Sequence, residues 1–523
     1  MAKQFFICQG GNILDNFDNN ALSFATKSFL GENQVKSTIR FEIPENTKVV
    51  KVLTAIAKPY IETLTPSANS VKVDGNVICD LLVVLSNNDI VPLTQKEVFS
   101  HTYENQTITQ DCILDATVNI NDFSNISSGD GEELVYSASL DINYFVIKTE
   151  NQNLCNVESS EIFVKDDDIS YERFLGNFEQ QTIFSFDIPK DSKTNSIVFV
   201  SSSASIKSVL PSNDYFVVSG DVYTTIVYKT EDGQLRSLTK INSYNEEIAF
   251  KGVTKESLIQ IKVKCKESQV VENTEKNIFN FETPLLFCAE IYSIENKKCV
   301  FDAYSIRNDI KLTTNSYKNN SFLPTISMQD NIITNFEIDK TISRIDKILS
   351  VIPSSITIVN KVVSDGELLL EGIANINLVY YSIDDEDNDV LSSMDIDVPY
   401  SIKFNIGELK TGDEVQTQIE LGDVSIKNKM GRELEILAEV CVSFNIIKEN
   451  ISALVTKIEV GDEKQQKDYA LEIYLAKENQ TLWDIAKELN VSIEDLTSQN
   501  SELTLPIANG QKIISYNKRN LEI

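Results

Sequence analysis

Histidine is all but missing: His101 is the only one in 523 residues. That excludes sites needing two imidazoles, such as HExxH zinc proteases, and leaves His101 as the sole candidate base for a serine or cysteine triad. Basic charge is also short, with 47 Lys+Arg against 78 Asp+Glu and a net charge of −31. A surface of that sign gains nothing from nucleic-acid phosphates, anionic lipid or anionic wall polymers. The cysteines, at 8, 79, 112, 155, 265, 288, 299 and 441, form no CxxC pair, so neither a zinc knuckle nor a small disulfide scaffold is indicated. They read as small buried hydrophobes. No apolar run approaches the roughly 18 residues of a membrane helix. Phe5, Phe6 and Ile7 give way at once to Cys8 and Gln9, which is too short for an export signal. The expectation is a cytosolic chain with no membrane span. No GxxxxGK phosphate loop or GxSxG elbow occurs, and no cofactor or metal site is indicated.

What is present is a repeat. Phe41-Glu42-Ile43-Pro44 recurs as Phe186-Asp187-Ile188-Pro189 and, more weakly, as Phe336-Glu337-Ile338-Asp339. Phe29-Leu30-Gly31, Phe174-Leu175-Gly176 and Phe322-Leu323 precede these markers. Gly75, Gly220 and Gly372 follow them, each leading a run rich in Val, Ile, Leu and Tyr that ends in a polar turn. The turns are Ser86 to Asp89, Glu231-Asp232-Gly233 and the acidic stretch Asp384 to Asp389. Alternating apolar residues and closely spaced turn signals predict a mainly β fold: three tandem antiparallel modules of sandwich or barrel type. Polar stretches near Asn151 to Ile169 and Asn308 to Asn320, and the charged Glu459 to Lys467, read as breaks. The expected division is an N-terminal segment 1–27, modules at 28–150, 173–307 and 321–450, a linker 451–467 and a small domain at 468–517.

In that last domain the periodicity changes. Leu471, Ile473 and Leu475 alternate as a strand, and Thr481 with Asp484 has capping-box spacing ahead of a helical stripe of Leu482, Ile485, Ala486 and Leu489. Ser492 and Asp495 open a second helix, and Asn509-Gly510 turns into a last strand at Lys512-Ile513-Ile514. The order is βααβ. Trp483, the only tryptophan, lies beside the stripe and reads either as a packing residue or as an interface anchor.

This segment resembles a LysM domain at Thr481-Leu482-Trp483-Asp484-Ile485-Ala486, Leu496, Asn500 and Gly510-Gln511-Lys512-Ile513. Its Asn479-Gln480 replaces the family's Gly-Asp, and Asn500-Ser501 its Asn-Pro, so the first loop of the glycan groove is altered. The β modules resemble the SPOCS family of spore-coat proteins, most closely at Gly366-Glu367-Leu368-Leu369-Leu370-Glu371-Gly372 and Val379-Tyr380-Tyr381. SPOCS repeats ending in one LysM are similar to the SipL family of coat-morphogenesis proteins. The resemblance implies a non-enzymatic scaffold of the mother-cell cytoplasm, recruited to the forespore surface. It also implies docking of the coat-basement ATPase SpoIVA through the LysM face, with other coat proteins as further partners. The expected docking face is Ile473, Tyr474, Lys477, Asn479, Gln480, Thr481, Trp483, Ile507 and Gln511. The alternative is a LysM that grips N-acetylglucosamine in peptidoglycan. Charge adds one expectation: residues 251–350 are nearly neutral, 14 Lys+Arg against 13 Asp+Glu, and Lys262, Lys264 and Lys266 would mark a less repelled docking surface.

Overall fold

The computed structural model describes residues 21–127, 131–155, 157, 161–190, 194–340, 342, 344–383, 389–428, 432–465 and 471–516. Phe5 to Gln9 and residues 384–388 of the acidic turn lie outside the described residues.

The chain is mainly β, and one strand order recurs three times. In the first unit β1 (Ala21–Phe41), β2 (Val49–Ser67), β3 (Ser70–Leu85), β4 (Ile90–Glu104), β5 (Ile113–Asn125) and β6 (Leu134–Asn153) form two antiparallel sheets, β1-β6-β5 and β2-β3-β4. The second unit has β7 (Ile162–Pro189), β8 (Ser196–Pro211), β9 (Tyr215–Lys229), β10 (Leu235–Ala249), β11 (Leu258–Cys265), β12 (Gln269–Asn273) and β13 (Ile278–Ser305). Its sheets are β8-β9-β10 and a β7-β13 pair, with β11 and β12 in tandem along β13. In the third, β14 (Asn308–Phe322) and β15 (Ile326–Glu337) share one edge of β20 (Glu433–Glu463), with β19 (Glu414–Asn428) on the other. Its second sheet is β16 (Ile345–Ser364), β17 (Glu367–Ile383) and β18 (Asp389–Asn405). Each unit thus closes an apolar core between two sheets. Strand order, unlike strand position, was not readable from sequence.

The recurring glycine is a packing device. Gly75, Gly220 and Gly372 pair with Ile61, Ile206 and Ile358, each at a bulge in the neighbouring strand. Phe99, Tyr244 and Tyr400 from the third strand of the sheet cover the bare backbone. A second bulge falls at Leu53, Val198 and Leu349. A bulge re-aims its side chain, and these three meet in one cluster with Leu82, Val227 and Val379, which joins the three units.

The stretches expected as breaks are largely paired strand among the described residues, with the unit boundaries falling between Asn153 and Ile162 and between Ser305 and Asn308. Ile162 onward, Asn308–Phe322 and the end of β20 are strands: the outer strands of each unit run past its sandwich as a two-stranded ribbon. A two-stranded ribbon leaves much of its surface in water, so its sequence is polar although its backbone is paired. Leu22, Phe24, Tyr171, Cys299, Tyr317 and Leu454 tie the three ribbons together. In the third unit Pro324 follows Phe322-Leu323, and the strand divides there into β14 and β15, where the other units keep a bulge at Gly31 and Gly176.

Burial pushes the thiols of Cys79, Cys265 and Cys288 up to about 12 and that of Cys299 to about 11. Maleimide at pH 8 should therefore leave buried Cys79, Cys265 and Cys299 unmodified for as long as the chain stays folded and modify half-buried Cys288 only slowly, while labelling all four readily in denaturant. Rapid labelling of any of them in native buffer, read by mass spectrometry, would contradict this.

Candidate docking interface

The small unit is built as its sequence predicts. β21 (Leu471–Leu475) pairs antiparallel with β22 (Lys512–Tyr516), and between them lie α1 (Leu482–Leu489) and α2 (Ile493–Gln499). Thr481 and Asp484 close a capping box: the Thr481 N–H donates to Asp484 Oδ2 at 2.8 Å and the Asp484 N–H to Thr481 Oγ1 at 3.3 Å. Asn490 ends α1 in the left-handed region, and Ser492 caps α2. Ala476, Ile485, Ala486, Leu489, Leu496 and Ile513 form its core.

Strand alternation sorts the expected docking residues. Leu471, Ile473 and Leu475 point away from the helices and are exposed, Ile473 at 62%. Tyr474 points the other way, and its hydroxyl donates to Glu488 Oε2 at 2.6 Å. The Gln480 amide joins them, donating to Glu488 Oε2 at 3.2 Å while its carbonyl accepts the Lys477 N–H at 2.8 Å. The Tyr474 hydrogen bond, with Lys477 and Gln480, holds the Glu488 carboxyl below its usual range. Asn479 sits at the loop tip with φ 62°. The facing loop is tied to this one: the Gly510 N–H donates to the Ala476 carbonyl at 2.8 Å and the Ala476 N–H to the Gln511 carbonyl at 3.0 Å. The Gln511 side chain accepts the Ala508 N–H at 3.1 Å. Tyr474, Lys477, Asn479, Gln480, Thr481 and Gln511 therefore gather around the two loops. Ile507 and Trp483 turn inward, each 8% exposed.

Trp483 is not covered by its own unit alone. Its indole N–H donates to Asp302 Oδ2 at 2.8 Å, and Tyr304 meets its ring edge-on with centroids 4.9 Å apart. Lys487, one turn along α1, places its ammonium 2.6 Å from Asp302 Oδ1. Burial works against the Asp302 charge, but the hydrogen bonds from Lys487 and Trp483 outweigh it and keep its pKa low. The Tyr304 hydroxyl donates to the Val491 carbonyl at 2.8 Å, and Phe163 stacks behind Tyr304. Asp302, Tyr304 and Phe163 lie at the tip of the β7/β13 ribbon. No motif marks them: Asp302 and Tyr304 stand in an ordinary strand-like run, Cys299 to Ile306, and Phe163 in a stretch that reads as a break. The only usable signal was the spacing of Trp483 and Lys487 on one helix face.

Two other expectations resolve here. His101, on β4 opposite Val73, has its Nε2 2.5 Å from the Asn33 amide nitrogen. Of the three lysines expected to mark the near-neutral docking surface, Lys262 is 3.0 Å from Asp115 with its side chain 19% exposed, Lys264 is half-buried with its pKa pushed down by desolvation, and Lys266 is half-buried. Lys262 and Lys264 line the seam between units, where the charge of Lys262 serves Asp115 of the first unit. Among the described residues no helix is long and apolar enough to cross a membrane.

The strands β16 to β19, with the glycine device at Gly372, carry the decisive likeness. Residues 344–429 match the family model described as SipL, SPOCS domain. The match supports a relation to SipL-like sporulation coat proteins. It covers one full sheet of the third unit, β16-β17-β18, and β19 from the other. The strands in the same positions of the first two units are β2 to β5 and β8 to β12. No curated protein and no solved structure matches the chain.

Proposed function

We propose that this chain is a non-enzymatic scaffold of spore-coat assembly. The observation that carries the reading is the SPOCS match at 344–429, joined to a strand order that the first two units share with the third. On this reading all three units are SPOCS modules that present surfaces to other coat proteins. The βααβ unit is a LysM fold turned to protein recognition, docking a SpoIVA-like coat ATPase from the mother-cell side of the forespore. Its loops favour that over glycan. Gln480 and Gln511 spend their amides bracing the two loops, and residues 469–516 carry three Lys against seven Asp+Glu.

The test uses the full chain and a chain ending at residue 463. The full chain should capture the purified ATPase and the shortened one should not. Lys477→Glu should weaken capture about tenfold, a loss of about 1.4 kcal/mol. Pelleting of the full chain with peptidoglycan, without capture of the ATPase, would replace this reading with the glycan-binding one.

A further inference from the structure

Each unit lays its central sheet against the next: β2-β3-β4 against β8, β8-β9-β10 against β16, and β16-β17-β18 against β2. In the second of these seams Tyr223, three residues after Gly220, crosses to the third unit, its hydroxyl 3.4 Å from the Cys441 thiol. Ile78 holds the same place after Gly75 with a much shorter side chain. The first seam keeps a cleft of about 380 Å³, with Ile78 and Asp80 on the wall from the first unit and Val198, Val200 and Phe279 on the wall from the second. That volume is at the lower end of small-molecule pockets, about 300–1,000 Å³.

A proline widens the mouth. Pro284 turns its carbonyl toward β11 and β12, accepting the Lys266 N–H at 2.8 Å, but it has no N–H to continue the ladder. The strand divides there into β11 and β12, whereas β5 and β19 run on through a bulge. Ser268, in the gap, is held 2.8 Å from the Ser202 hydroxyl and 2.9 Å from that of Thr283, and Glu267 stands exposed at the rim.

The polar groups of the walls are unevenly used. Lys58 donates to the Ser202 carbonyl at 2.6 Å and to the Ser201 hydroxyl at 3.3 Å, and Glu272 has Lys190. Asp80 accepts from the Thr94 hydroxyl at 2.7 Å on Oδ1, which leaves Oδ2 open. Among the described residues neither Asp80 nor Glu267 is in contact with a cation. Burial pushes the Asp80 carboxyl up against the Thr94 hydrogen bond and the more distant Lys58 charge, and burial with the Asp80 charge does the same to Glu267.

We propose that this cleft binds a small aliphatic amine, its ammonium held by Asp80 and Glu267 and its carbon chain lying along Val198, Val200 and Phe279. The walls select that class. Their free acceptors are carboxylates, so the ligand must donate, and a charged donor makes the stronger hydrogen bond. The apolar wall rewards a carbon chain, which a bare metal ion lacks. A net charge of −31 raises the concentration of cations at the surface and lowers that of anions. The site lies apart from the βααβ unit and is independent of the partner that unit takes.

The test titrates n-butylamine, with n-butanol as the neutral control, into the full chain at low salt and reads binding by ligand-observed NMR. The amine should saturate one site, and butanol should bind it about tenfold more weakly or less. Asp80→Asn keeps an acceptor for Thr94 but removes the charge, and should weaken the amine by about tenfold or more. Glu267→Gln, at the rim, should weaken it less. Ile78→Tyr gives the first seam the side chain that crosses the second, and should abolish binding with both carboxylates in place. Melting temperatures of the free variants show that each has folded; if Asp80→Asn has not, Ile78→Tyr and Glu267→Gln decide the matter. A wild type with no saturable site would overturn the proposal. So would amine affinity unchanged in Ile78→Tyr, which would spread the amine over the carboxylates of the surface, or equal affinity for amine and butanol, which would reduce the cleft to an apolar groove.

Discussion

Lys27→Met is expected to remove about 3–5 kcal/mol of stability, far more than the ion pairs on the surface of this chain can contribute. Lys27 lies on β1 with its side chain 1% exposed. Its ammonium is 2.6 Å from Glu290 of the second unit and 3.1 Å from Asp115 of the first, and it donates to Gln416 Oε1 of the third at 3.2 Å. Its backbone N–H donates to the Asn320 side chain, also in the third unit, at 2.6 Å. One side chain therefore serves all three units at the seam where they meet. Methionine fills the space but leaves two carboxylates without their shared cation in a place that water barely reaches.

The pH dependence follows from the directions of the shifts. Burial opposes the charge on Lys27, but Glu290 and Asp115 outweigh it and raise its pKa, so its contribution is complete below the ordinary lysine range and fades only as pH rises through the folded value. Burial likewise opposes the charge on Asp115, but Lys262 and Lys27 outweigh it and depress its pKa. That contribution is present above the ordinary carboxylate range and is lost as pH falls toward the folded value. Without Lys27, Asp115 keeps Lys262 while Glu290 is left with the Tyr292 hydroxyl, and a buried carboxylate deprived of its cation sheds its charge by protonation. The deficit of Lys27→Met should therefore be larger at pH 8 than at pH 4. Urea unfolding of both chains at the two pH values would measure it, and adding Glu290→Gln should return part of the loss. A deficit below about 1 kcal/mol, or one equal at both pH values, would mean the network is not what joins the units.

What the sequence disclosed follows from what is local. Caps at Thr481 and Ser492 need only three or four neighbouring residues, so the βααβ unit was readable to the element. The glycines at 75, 220 and 372 were visible as a repeat, although their reason, an aromatic lid from a strand some 24 to 28 residues on, was not. The ion network was invisible because Lys27 finds partners 88 and 263 residues away, and no pattern along the chain joins them. The polar stretches at the unit boundaries do not disclose the paired ribbons they contain, because composition reports exposure, and a paired ribbon can be exposed. Trp483 shows the same limit: the helix face was legible, but the carboxylate that meets it depends on a bulge in a distant strand.

The glycine device itself predicts the second large effect, at Gly372, inside the stretch that matches the SPOCS domain. Alanine there would put its Cβ 1.9 Å from the Thr357 carbonyl oxygen and 2.7 Å from the Tyr400 hydroxyl. The Tyr400 ring could swing away, but the carbonyl belongs to a paired strand and cannot. Gly372→Ala should therefore cost about 3 kcal/mol or more, the upper range for overpacking a core, and lower the melting temperature of the chain. Gly407→Ala is the matched control: nothing lies within 4 Å of its added Cβ, and reduced freedom of the unfolded chain should make it neutral or stabilising by about 0.4–1 kcal/mol. Tyr400→Phe separates lid from anchor. It loses the hydroxyl that donates to the Thr357 carbonyl at 2.9 Å, for about 1 kcal/mol, but keeps the ring over the glycine, as Phe99 does in the first unit. If Gly372→Ala and Gly407→Ala behaved alike, close approach of the backbone would not be why the repeat keeps its glycine. A large loss at Gly372 with a small one at Tyr400 would instead identify the bulge opposite the glycine as the fixed point around which each central sheet is built.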